Sequence, residues 1–113
     1  MRQRIITVPK DKIAEKALDY NESVGSQLIE LSVTEEDFQF MFQCGIIELV
    51  NREGEANIDD FEDDVITGKE RLNRVITALR SIADSSVNNE LIINVIRLFD
   101  EAKNRDTGIY FYF

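Results

Sequence analysis

The run Asp59-Asp60-Phe61-Glu62-Asp63-Asp64 sets five carboxylates in six consecutive residues. Three chemistries use such a density: binding of a hard cation, paired acid–base catalysis, and recognition of a basic surface. A calcium loop opening at Asp59 needs oxygen ligands two and four residues on and a glycine five residues on. Phe61 occupies the first ligand position and Asp64 the glycine position, although Glu70 falls where the closing glutamate would stand. The pattern fails where the turn is made, so a defined calcium loop is not expected, and no metal or other cofactor is assigned. Glycosidic cleavage by two carboxylates needs a scaffold large enough to hold a sugar between them, and a chain of 113 residues offers little room for one. Recognition of a basic surface is the chemistry left.

Other reactive constellations are missing from the sequence. It contains no histidine, which removes the commonest general base, the commonest zinc ligand and every Ser-His or Cys-His pair. Thr67-Gly68-Lys69 looks like part of a phosphate loop, but no glycine precedes it at the needed spacing. The single cysteine, Cys44, cannot form an internal disulfide, in keeping with a reducing compartment; beside Gly45 it reads as a small buried packing residue. An enzyme is not expected.

Charge distribution sharpens the picture. The net charge is −9, yet residues 30–64 carry twelve acidic side chains against a single Arg52, while the segments on either side are close to neutral. A protein that grips nucleic acid needs a basic stripe, and the dense charge here has the opposite sign. The acidic third has two readings: a solvated face that keeps the protein soluble, or a surface that meets a basic partner. Phe61, an aromatic inside a charged rim, fits the second.

These residues must be positioned by a small fold. The length predicts a single globular domain over 1–113. Apolar runs of about five residues are far short of the roughly 20 that cross a bilayer, and the first residues do not form a signal peptide; a cytoplasmic protein is expected. Residues 2–8 predict a strand ending at Pro9, followed by a helix with Ile13, Ala17 and Leu18 inward. Residues 27–33 predict a second strand. Thr34 before Glu35-Glu36-Asp37 marks a helix start, and Phe38, Met41, Phe42, Gly45, Ile46 and Leu49 continue it to about Asn51. Phe38 and Phe42 read as core, and Phe40, on the opposite side, either covers another core surface, the favoured reading, or is exposed as a binding contact. A polar loop at 52–57 precedes a short helical piece with Ile58, Phe61 and Val65 inward. Two amphipathic helices follow, one through Leu72, Val75, Ile76, Leu79, Ile82 and Ala83, the other through Leu91, Ile92, Val95, Ile96, Phe99 and Ala102, with a loop at 84–88 between them. Ile109–Phe113 is a closing strand that must be tied into the sheet. The expected fold is α/β (α+β), helices packed on about three strands in the order β-α-β-α-(α)-α-α-β.

A short acidic chain without catalytic residues resembles the immunity proteins that bacteria pair with secreted or contact-delivered toxins. The segment Leu98-Phe99-Asp100-Glu101-Ala102-Lys103, turning into Ile109–Phe113, is similar in pattern to the closing helix and strand of the barstar family. The resemblance implies an immunity protein that neutralises a cognate toxin, of the nuclease kind among others, during bacterial competition. Its partner would be a protein toxin with a basic surface, with no nucleic acid and no membrane involved. Glu48, Glu53, Glu55, Asp59, Asp60, Glu62, Asp63 and Asp64 would then meet basic toxin residues, with Phe61 as a packed anchor. Two alternatives stand beside it: an acidic mimic of nucleic acid that inhibits a DNA-binding defence protein, and a metal-binding regulator.

Overall fold

A computed structural model describes residues 3–22, 25–83 and 89–113. The chain runs β1 (Arg4–Pro9), α1 (Lys12–Asp19), a single 3-10 turn (Gly25–Gln27), β2 (Leu28–Val33), α2 (Glu35–Gln43), α3 (Ile46–Gly54), β3 (Asp63–Ile66), α4 (Lys69–Ala83), α5 (Asn89–Arg105) and β4 (Ile109–Tyr112). It is the expected α+β class, with one more strand. All strand pairs are antiparallel, in the order β2-β1-β4-β3, so the first and last strands lie side by side in the centre. The expected loop at 84–88 lies outside the described residues. No helix among the described residues is long and apolar enough to cross a membrane.

Alternation along the central strands makes two unlike faces. Ile6, Val8, Ile66, Ile109 and Phe111 are buried on the inner face beneath α4 and α5, whose Leu72, Val75, Leu79, Ile92, Val95 and Phe99 complete the core as their spacing predicts. The outer face carries Ile5, Thr7, Tyr110, Tyr112, Asp63 and Val65, aligned by register. Gly108 admits the chain to β4: a Cβ there would stand 2.8 Å from Thr67 Cγ2 and 3.2 Å from the Ile66 carbonyl oxygen. Behind it, the Thr107 hydroxyl donates to the Pro9 carbonyl at 2.9 Å and ties the incoming strand to β1.

Local chemistry explains where the chain departs from its periodic pattern. The helix expected over 34–51 is two helices, because Gly45 adopts φ 78° and ends α2, and α3 continues from there to Gly54 through residues expected to be loop. Thr34 does cap α2, accepting from the Asp37 amide at 3.0 Å. In α1 the N-cap is Asp11, which accepts from the Ala14 amide; this registers Ala14 inward and leaves Ile13 75% exposed, against expectation. Phe42 is also partly exposed, resting edge-on against buried Phe38, while Phe40 packs against the core. Cys44, at the end of α2, is exposed and is not a packing residue.

The helical piece expected near 58–65 is instead a turn leading into β3. Helical geometry would stack Asp59 on Asp63 and Asp60 on Asp64, and like charges four apart oppose a helix. The extended alternative gains a ladder with β4. Period two then turns Val65 outward, 40% exposed, and Ile66 inward, while Ile58 is buried as expected.

Candidate acidic interaction surface

The acidic turn is held from beneath by Arg4, a buried cation near the start of β1. Its guanidinium pairs with Asp60 at 2.9 Å and with Glu35 at the first turn of α2, and it lies 3.7 Å above the centre of the Phe38 ring. A buried charge is costly unless paired, so the two carboxylates are drawn to it from positions 31 and 56 residues along the chain. The Gln39 amide and then Arg4 hold the Glu35 carboxyl below its ordinary range.

Above this node the chain makes a tight reversal. Asp59 and Glu62 form an isolated bridge, the Asp59 carboxylate accepts from the Asp60 amide at 2.8 Å, and the Phe61 amide donates to the Phe113 carbonyl at 3.1 Å. Phe61 sits at φ 64°, a conformation uncommon for a bulky side chain, and its ring is 71% exposed. It is displayed outward and does not fill the core. Asp63 begins β3 opposite Tyr112. Asp64 is committed to structure, one oxygen accepting from the Asn57 amide and the other from the Val65 amide, each at 2.7 Å.

The remaining expected site residues lie elsewhere. Glu55, just past α3 at φ 56°, bonds Arg74 at 2.6 Å and Arg71 at 3.3 Å; Arg71 and then Arg74 hold its carboxyl below the ordinary range. Glu53 pairs with Arg52, and its carbonyl accepts from Arg74. Glu55 is thus neutralised by the basic residues of α4, and Glu53 by Arg52 at the end of α3 itself. Glu48 is exposed in the first turn of α3. The stretch 48–64 therefore divides into a turn braced by Arg4 with its neighbouring strand, and a neutralised helix end.

Sequence reasoning missed two carboxylates. Glu35 was legible only as a helix-start residue, and nothing in the chain announces that Arg4 joins it to Asp60. Asp19, at the end of α1, accepts from the Tyr110 hydroxyl at 2.7 Å and adds acidity to the outer sheet face from outside the acidic third. Among the described residues no three acidic or sulfur side chains converge as metal ligands would.

This arrangement defines a small α+β protein that presents carboxylates around a braced turn. Its fold is also that of a solved structure, the Neisseria DNA mimic protein DMP12, which it matches with a TM-score of 0.67 and 18% sequence identity over 100% of both chains. The sequence matches no protein-family profile and no curated protein sequence. The expected partner, a cognate toxin with nucleic acid playing no part, is corrected by this finding: the protein that shares the fold is described as a mimic of DNA.

Proposed function

We propose that this protein is an acidic mimic of DNA that occupies the DNA-binding surface of another protein, catalyses no reaction, and acts in the cytoplasm. The observation that carries the reading is the full-length likeness in fold to a DNA mimic, combined with a net charge of −9 concentrated on one stretch of chain. Duplex DNA offers about one negative charge per 1.7 Å of axis, and proteins that bind it gain affinity by replacing its counterions with Lys and Arg. Carboxylates held on a braced turn supply the same attraction without a duplex. The longest dimension of the molecule is 37 Å, close to the roughly 34–36 Å of one helical turn, so it would cover about one turn's worth of binding surface. Asp59 and Glu62 on the turn, with Glu36 and Asp37 on the first turn of α2, are the carboxylates best placed to act as phosphate substitutes.

The test is competition. Proteins from the source cells are captured on the immobilised protein and eluted with duplex DNA, and each is then examined by gel shift. The expected result is that captured proteins bind DNA and release it as this protein is added. Asp59→Lys with Glu62→Lys should slow association roughly tenfold at low salt, the usual effect of losing electrostatic steering. A slower-migrating complex holding both DNA and this protein would overturn the reading.

A further inference from the structure

The outer face of the sheet carries a groove that the acidic turn does not explain. Helix α1 has only eight residues, and beyond it two adjoining hollows, of about 410 and 330 Å³, run between α1 and β3. Both hollows share Tyr110, Val65 and Asp19. Tyr110 lines both hollows and Tyr112 one of them, their rings stacked with centroids 6.3 Å apart and planes 22° apart. Carboxylates edge the groove: Asp19 on the hydroxyl of Tyr110, Glu15 one turn earlier on α1, and Asp63 across the ladder from Tyr112. The nearby cation, Lys12 at one end, is engaged by Glu15 at 3.5 Å and Asp106 at 3.9 Å.

We infer that this groove binds an extended arginine-bearing segment of the protein's DNA-binding partner, in a separate contact from the one made by the acidic turn. The inference rests on the DNA-mimic reading for the identity of that partner. Charge complementarity and spacing select the occupant. Aromatic faces bordered by carboxylates favour a cation that can stack and hydrogen-bond at once, which is the chemistry of guanidinium more than of ammonium. In an extended segment, side chains two apart point the same way with about 6.6 Å between them. That is close to the 6.3 Å between the two rings, so an Arg-X-Arg sequence brings one guanidinium to each. Burial first, then Asp19, raises the Tyr110 hydroxyl well above its ordinary ionisation range, which keeps it neutral.

The test uses the intact protein and a blocked Gly-Arg-Gly-Arg-Gly peptide, with lysine and adjacent-arginine versions as comparisons, followed by NMR of the tyrosine rings and backbone amides. Saturable shifts centred on Tyr110, Tyr112 and Val65, strongest for the alternating arginine peptide, are expected. Asp19→Asn with Asp63→Asn should weaken that binding about fivefold, the scale of two exposed ion pairs. Tyr112→Phe, which keeps the ring, should leave it nearly unchanged, and circular dichroism confirms that each variant is folded. Shifts confined to α2 and residues 59–62, no saturable binding, or indifference to the two asparagine changes would each overturn the groove. Failure of the DNA-mimic reading shows separately, in the competition gel shifts, where no peptide is used.

Discussion

At the scale of single residues, Arg4 separates two roles that acidic side chains can play. Asp60 and Glu35 sit on it and serve the fold as well as the surface, whereas Asp59 and Glu62 lie on the turn above. Replacing Arg4 with methionine removes the ion pairs and the contact with Phe38 together, and leaves two like charges facing each other. Thermal unfolding should show the midpoint falling by several degrees, and Arg4→Met combined with Asp60→Asn should recover part of the loss, because the repulsion is relieved. A second prediction concerns alkaline pH. The Tyr110 hydroxyl is raised above its ordinary value of 10, so it stays protonated in the folded chain while the unfolded chain ionises. The folded state then binds more protons, and its stability should fall as pH rises above about 10. Glu35 and Glu55 have the opposite sign: both are lowered, and the stability they contribute is present above about pH 4.5 and lost as pH falls below it. Midpoints measured from pH 3 to 11 should form a plateau with both shoulders, and Tyr110→Phe should flatten the alkaline one. The acidic residues were legible as a group in the sequence. Their division into bare and neutralised members was not, because it depends on Arg4, Arg71 and Arg74 arriving from distant elements.

At the scale of elements, periodicity and composition located the two long helices and strands β1, β2 and β4, where apolar side chains face one core. It failed over 34–66, where single residues decide. Gly45 is the clearest instance: its left-handed conformation divides α2 from α3, and no atom lies within 4 Å of where a Cβ would stand. Gly45→Ala therefore meets no clash and pays only for the backbone conformation, about 1–2 kcal/mol. Chemical denaturation should report that loss with the m-value unchanged, and a fused, straighter helix would appear as increased helical circular dichroism. Strand β3 was hidden for a different reason. Its sequence, Asp63-Asp64-Val65-Ile66, has half its side chains charged, and only the ladder offered by β4 makes it extended. A sequence read locally cannot contain a partner strand that arrives more than forty residues later.

At the scale of the whole molecule, salt should act in opposite directions on stability and on binding. A net charge of −9 makes the compact state repel itself, and screening relieves that repulsion. Raising ionic strength from about 0.01 to 0.15 M shortens the screening length from roughly 30 to 8 Å. The unfolding midpoint should rise by a few degrees over that range, while affinity for the proposed DNA-binding partner falls. If both rose together, the acidic surface would not be the binding surface.

The pairing of β1 with β4 has a bearing on how the protein is made. Its first strand waits for its last, since residues 4–9 are flanked in the finished sheet by residues 28–33 on one side and 109–112 on the other. At about 5–20 residues per second, the stretch of chain between β1 and β4 takes several seconds or more to make, with one flank of β1 uncovered. During that time the core side of the β1–β2 pair has no Phe111 against it. Closure of the sheet is therefore deferred until β4 has been made.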